Sequence, residues 1–350
     1  MKFRTEIEIL PYDRQLSYDD RLLALGSCFA TEIGRRMAES KFRIAVNPSG
    51  VLFNPLSIVR TLRRYRDGRP VAKEELQHAD GRWFHYDFHG SLAGDTADEA
   101  LTRIDAAFAE GARALHEASA VLLTLGTAWV YERTDTGDVV ANCHRQPAER
   151  FRRRRLSVEE VVSAIESVLP DESSGKRILL TVSPVRHLGD GLAGNAVSKA
   201  VLRLAAEELS ERHAQVAYFP AYEILCDDLR DYRFYADDLT HPSPQAVAYV
   251  WERFCEALLT PDARALLPRI AEITAAARHR PLHPASEAYR AFCRRQLEAI
   301  ERLPGVDFTE ETAFFRRFLA GKSRRGETAA SPRRISFQFL KIGSRLVVLR

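Results

Sequence analysis

Five short apolar runs of strand length punctuate the first two thirds of the chain, at Leu22–Leu25, Phe42–Val46, Val121–Leu125, Ile178–Val182 and Val216–Phe219. Several are rich in β-branched residues, and each gives way to a polar or turn-forming segment, so they predict five strands. Between and after them apolar residues recur three or four apart. Ile33 and Met37 do so after Cys28, Val197, Val201, Leu204 and Ala205 within about 195–211, and Val247, Val250, Trp251, Phe254 and Leu258 after Ser243-Pro244. That last start is well defined, because serine is a strong N-cap and proline suits the first helical position. Short strands alternating with helices predict a parallel sheet covered on both faces. Right-handed crossovers then make it a three-layer, doubly wound α/β fold with five parallel strands.

The segment from about 54 to 117 separates the second and third strands by far more than a crossover needs, and so predicts an insertion with its own helices, placed to cap the site. After about Leu259 the strand alternation stops. Residues 1–260 therefore form one domain, and 261–350 a helical C-terminal extension with amphipathic helices at about 286–302 and 309–320. A polar, basic stretch at 321–334 has the composition of a flexible linker. The partly alternating residues that follow, Ile335 to Leu349, would add an edge strand or dock on a partner.

A chain of 350 residues with 45% hydrophobic content can bury a sizeable core. Its formal charge of +3 gives no argument for a nucleic-acid partner. The run Arg152 to Arg155 is the local exception; without interleaved aromatics it reads as a solvated loop or helix face. The cysteines at 28, 143, 226, 255 and 293 form no C-x-x-C pair, so reduced thiols are expected and no zinc motif is evident. The N-terminus lacks the apolar core of a signal peptide, and no run is long enough to span a bilayer, which predicts a cytoplasmic protein. The sequence does not fix the oligomeric state and calls for no cofactor.

In an open parallel sheet, ligands bind beyond the carboxyl ends of the strands. The residues that follow the five predicted strands are Gly26-Ser27-Cys28, Asn47-Pro48-Ser49-Gly50, Gly126-Thr127, Ser183-Pro184-Val185-Arg186-His187 and Pro220-Ala221-Tyr222-Glu223. Gly26 suits a tight strand-to-helix turn, and a thiol or hydroxyl just after it sits where a helix dipole favours a developing anion. Taken alone, the same letters suit a buried small residue at Cys28 and a helix cap at Ser27. The complement is Asp238-Leu239-Thr240-His241, immediately before the capped helix at Ser243. An aspartate three residues ahead of a histidine can accept its imidazole N–H and turn the other ring nitrogen toward a nucleophile.

Gly26-Ser27-Cys28-Phe29-Ala30 is letter for letter the motif that names the GSCFA family. The chain also resembles that family at Asn47 to Pro55, Thr124 to Trp129, Ser183 to His187 and Asp231 to Ser243. The family is grouped with the SGNH/GDSL hydrolases. The resemblance therefore implies their flavodoxin-like fold, and a nucleophile turn, a glycine, an asparagine and an Asp-x-x-His in successive blocks. By that correspondence Asp238 and His241 supply the last block, and the N–H of Gly50 joins the nucleophile's own N–H in an oxyanion hole. Two departures stand out. The register puts Cys28 where the superfamily has serine, with Ser27 as the alternative under a one-residue shift. Ala128 stands where asparagine is implied, leaving Thr127, Asn54 and Asn142 as replacements, with His187 as a possible substrate contact.

The expectation is acyl transfer from an ester or thioester through a covalent intermediate on Cys28 or Ser27, with a small-molecule or glycan acyl substrate. Water as acceptor makes a hydrolase and a hydroxyl makes an acyltransferase. Two rivals come from other classes. One is a binding module that keeps the fold without turnover. The other is a metal hydrolase built on His85, Asp87 and His89 along one side of a strand, with Cys143, His144 and His187 as further ligands.

Overall fold

A computed structural model of the chain describes residues 4–319 and the backbone of two short strands, 341–342 and 345–346. The central sheet has five strands, β1 (Arg21–Gly26), β2 (Arg43–Val46), β3 (Ala120–Leu125), β4 (Arg177–Val182) and β5 (Val216–Phe219), all parallel and ordered β5-β4-β3-β1-β2. All five strands predicted from the apolar runs are present. β3 is buried along its whole length, as a central strand with helices on both sides must be.

The helices that cover the sheet are α1 (Cys28–Glu39), α2 (Pro55–Arg66), α3 (Ala97–Glu117), α4 (Val158–Glu166), α5 (Gly191–Arg212) and α6 (Pro244–Leu258). Alternation along the strands sorts them into two layers. Leu23, Leu25, Val121, Leu123, Leu125, Ile178 and Leu180 share a core with Ile58 and Leu62 of α2, Val161 and Ile165 of α4, and Leu202, Ala206 and Leu209 of α5. On the opposite face Ala24, Leu122 and Leu179 meet Phe29 and Ile33 of α1 and Phe254 of α6. Because β2 lies on one side of β1 while β3 to β5 lie on the other, the chain reverses its winding direction between β1 and β3. The crevice at such a point is where open α/β sheets bind ligands.

Residues 54–117 contain helices, as expected, but α2 and the end of α3 belong to the central core rather than to a separate cap. Between them runs a short antiparallel pair, Gln77–Ala79 with Arg82–Phe84. Tyr65 of α2 packs where Gly111 of α3 leaves room, since a Cβ on Gly111 would lie 2.0 Å from the Tyr65 ring. The buried Tyr65 hydroxyl meets Ser49 Oγ at 2.5 Å and so fixes the loop after β2.

A three-stranded sheet follows β3, with Trp129–Arg133 between Val139–Val140 and Phe151–Arg155. Trp129–Arg133 and Val139–Val140 pair antiparallel as a hairpin. The arginine run corrects the sequence reading, for it is an edge strand and not a loop or helix face. Alternation puts Arg152 and Arg154 on Glu132, while Arg153 stacks 4.2 Å from the Trp129 ring centroid and pairs with Asp190.

The chain divides into two compact units with the boundary between Leu259 and Thr260, Glu39–Lys41 being grouped with the second. Among the described residues the second unit holds three helices, Pro261–Arg278, Glu287–Glu301 and Thr309–Leu319. The first of these was not expected, because Pro268 interrupts its pattern from inside. The predicted linker at 321–334 lies outside the described residues. Within the expected final strand segment, the described residues 341–342 pair antiparallel with 345–346. Among the described residues, no helix is long and apolar enough to cross a membrane.

Candidate active site

At the end of β1 the chain turns sharply on Gly26, whose φ is +138° and whose Cβ, if present, would lie 2.2 Å from the Thr124 carbonyl oxygen. No other residue type fits there. Asn47, itself at φ 46°, accepts from Gly26 N–H at 2.8 Å and donates to Thr31 Oγ1 at 3.0 Å, tying the second loop to the turn. Ser27 is 1% exposed. Its N–H donates to Thr124 O at 3.2 Å, and its hydroxyl oxygen accepts from Phe29 N–H at 3.3 Å. Ser27 is thus turned inward as a cap. Cys28, the first residue of α1, keeps exposed surface. A first-turn N–H has no carbonyl within its helix to reach, and it lies at the positive end of the helix dipole.

The loop before α6 brings the partner groups. Ser243 Oγ accepts from Ala246 N–H and Pro244 opens the helix, as the sequence predicts. Ahead of it, Asp238 Oδ1 accepts from the N–H groups of Thr240 and His241, both at 2.9 Å, while Oδ2 lies 2.6 Å from His241 Nδ1. Leu239 completes the turn at φ +56°. Burial opposes ionisation of Asp238, but the backbone and ring donors of His241 and the Thr240 N–H together outweigh it and hold the carboxyl below its usual range. The His241 ring is also hydrogen-bonded to the Cys28 thiol. That contact, against the cost of burial and with help from Asp238, pushes the imidazole up to about 9. With Nδ1 occupied by Asp238, Nε2 is left for the thiol, so the imidazole interacts with both the carboxylate and the sulfur.

The remaining candidates fall out as follows. Gly50 sits at φ +83° with His89 so close that a Cβ would lie 2.1 Å from the histidine Cβ. Its N–H donates to Asn47 O at 2.8 Å, so the oxyanion role expected of that N–H is not met; the turn already uses it. Asn54 caps α2 through Oδ1, which accepts from Ser57 N–H at 2.9 Å. Thr127 donates its N–H to Phe53 O, and its hydroxyl lies 3.1 Å from Ser198 Oγ while accepting from Trp129 N–H, so it fastens the third loop internally. Asn142 caps its own turn by accepting from His144 N–H at 2.8 Å. His187 rests edge-on against Phe53, with ring centroids 5.7 Å apart. The second, third and fourth loops therefore meet around Phe53, whose carbonyl accepts from both Gly126 and Thr127.

His85, Asp87 and His89 lie in the turn after the strand Arg82–Phe84, not along it, which corrects the basis of the metal reading. The Asp87 carboxylate is held by Arg60 at 2.8 Å and Arg64 at 3.3 Å. His144 stacks on Phe84, and burial pushes it down to about 4. Among the described residues, no group of three His, Cys, Asp or Glu side chains is placed to hold a metal ion.

Sequence reasoning missed two cations at this edge. Lys199 of α5 is wholly buried and donates to Gly126 O at 2.6 Å and Ser183 O at 2.7 Å, bridging the ends of β3 and β4. Burial pushes its ammonium down to about 7. Arg186 follows β4 and reaches the His241 loop, donating to Leu239 O at 3.4 Å. The signal for Lys199 was its place one residue after Ser198 and four after Asn195, a polar stripe on a helix that must pack somewhere.

A doubly wound α/β protein with a thiol, an imidazole and a carboxylate brought together at its winding reversal is the class that fold and site define. The chain belongs to the GSCFA family, whose model matches residues 21–254 and so spans the whole of that site. A second model, the C-terminal domain of GSCFA domain proteins, matches residues 270–321. No curated protein and no solved structure matches the chain.

Proposed function

We propose that the protein is an acyl-ester or thioester hydrolase, or a related acyltransferase, of SGNH type, which works through a covalent intermediate on Cys28. The observation that carries this is the His241 ring held between Asp238 and the Cys28 thiol. His241 holds the proton of the pair, the Cys28 sulfur attacks the acyl carbonyl, and the C–S bond forms as the carbonyl becomes an oxyanion. The Cys28 N–H, at the helix start, faces that charge. Collapse breaks the bond to the leaving alcohol or thiol, which departs with the proton from His241. Water or a hydroxyl acceptor then gives its proton to His241, attacks the acyl group and restores the thiol. Asp238 remains ionised and holds the ring in the required tautomer.

The test is turnover of short acyl esters and thioesters by the wild type, Cys28→Ala, Ser27→Ala and His241→Ala, with the acyl-enzyme sought by mass. Loss of turnover in Cys28→Ala and His241→Ala but not in Ser27→Ala, with an acyl group on the Cys28 peptide, supports the reading. Activity that survives Cys28→Ala sinks it. A second reading, a binding module without turnover, is favoured by the Gly50 N–H being occupied and by Ala128 standing where a side-chain donor is expected. It predicts that Cys28 labelling is slow and indifferent to His241.

A further inference from the structure

Arg186 is tied at two points to the loop that ends in His241. Its N–H donates to Thr240 O at 3.0 Å and its Nη1 to Leu239 O at 3.4 Å. The guanidinium lies 3.8 Å from the Tyr235 ring centroid and 5.1 Å from that of Tyr232. The Tyr235 hydroxyl is a further hydrogen-bond partner. Stacking shields the face of a guanidinium and fixes its plane but leaves its in-plane N–H donors, five in all, to be satisfied at the edge. Leu239 and Tyr235 use only part of that capacity.

Among the described residues no carboxylate pairs with Arg186. That distinguishes it from other arginines of the first unit: Arg153 is paired with Asp190, Arg203 with Glu223 at 2.7 Å, and Arg60 and Arg64 share Asp87. Asp238, a carboxylate of the loop that Arg186 touches, is committed to His241 and the loop N–H groups. A guanidinium with its plane fixed by aromatic rings, and without a counter-ion, is a preorganised receptor for an oxyanion. The Cys28 end of α1 adds the positive pole of a helix dipole to the same sheet edge.

We propose that Arg186 determines specificity by holding an anionic group of the substrate, a carboxylate or a phosphate, beside the Cys28–His241 pair. The inference rests on the acyl-transfer reading of that pair and deepens it, naming the substrate class as an acyl donor that carries an oxyanion. A residue that merely strapped the loop would make the same contact to Leu239 and give no preference for charge.

Alkylation of Cys28 by iodoacetate and by iodoacetamide tests this without any substrate, since the reagents differ in a carboxylate against an amide. The rate at the Cys28 peptide is followed by mass in the full chain, and the iodoacetate-to-iodoacetamide ratio is normalised to that of glutathione. The wild-type ratio is expected to exceed that of glutathione by about tenfold or more, the scale of one charge-assisted contact. Protonated His241 attracts iodoacetate as well, so the dependence on Arg186 is what decides. In Arg186→Met the ratio falls by about tenfold while the iodoacetamide rate stays within about threefold, showing an intact loop; Arg186→Lys retains part of the preference. A ratio unmoved in Arg186→Met, or equal slowing with both reagents, overturns the proposal.

Protection of Cys28 from iodoacetamide by inorganic phosphate or by acetate distinguishes the two ligand chemistries, and protection by neither counts against the subsite. The two readings fail separately. If no ester is turned over while the charge preference depends on Arg186, the acyl-transfer reading falls and the anion subsite stands. If neutral and anionic esters react alike and Arg186→Met changes neither, the enzyme stands and the subsite falls.

Discussion

Lys199 Nζ donates to the carbonyl oxygen of Gly126 at 2.6 Å, from within a helix and with the residue 1% exposed. The same ammonium bonds Ser183 O, and Gly126 passes the constraint on by donating its own N–H to Phe53 O. A buried polar pin thus joins the loops after β2, β3 and β4.

Lys199→Met leaves two buried carbonyls without a donor and is expected to destabilise the protein by about 2–4 kcal/mol at neutral pH, read by denaturant unfolding. The folded-state pKa of about 7 lies below the ordinary 10.5, so between these values the unfolded chain holds a proton that the folded chain lacks. Raising pH through that window therefore stabilises the wild type relative to Lys199→Met, by about 1.4 kcal/mol per pH unit at most. A difference between the two proteins that is constant from pH 7 to 10 refutes the assignment.

The His241 imidazole is expected to titrate near 9, followed by NMR of the ring protons. Cys28→Ala should lower the midpoint most, since the thiol is the largest contributor, and Asp238→Asn should lower it further in combination. Because the folded value lies above the ordinary 6.5, this group's contribution to stability is complete below about pH 6.5 and is lost as pH rises through 9. A midpoint near 6.5 in the wild type would remove the electrostatic basis of the pair.

Gly26→Ala should prevent stable folding or cost about 3 kcal/mol or more, because the new methyl meets backbone at φ +138° rather than a side chain that can move. Gly50→Ala meets the His89 side chain at φ +83° and is expected to cost about 1–3 kcal/mol. Thermal unfolding of the two variants checks the order.

Ser27→Ala and Asn54→Ala each remove a cap. Each is expected to cost about 1 kcal/mol of stability. Neither should slow iodoacetamide alkylation of Cys28 by more than about threefold, within what a sub-kilocalorie change allows. Slower alkylation in Ser27→Ala with unchanged stability would return Ser27 to the chemistry.

The strands were legible because burial on both faces demands unbroken apolar runs, and α6 because a serine and a proline mark its start. The face of α5 was not. Apolar spacing selects Val197, Val201, Leu204 and Ala205; Ala205 is buried, yet Val197 is 43% and Leu204 59% exposed, while Asn195, Ser198 and Lys199 are buried. Polar groups go inward there because loop carbonyls and hydroxyls satisfy them, which periodicity cannot foresee. The arginine run became a strand because Glu132, twenty residues before Arg152, lies opposite it.

What the chain determined locally was the turn at Gly26, the Asp238-to-His241 loop and the alternation that makes a doubly wound sheet, since steric freedom, capping and side-chain period act over a few residues. Tertiary structure decided which of Ser27 and Cys28 faces outward, and that Lys199 and Arg186 reach the loops at the same sheet edge. Each of those outcomes depends on donors and acceptors far apart in sequence competing for the same partners, and only the folded sheet brings them within reach.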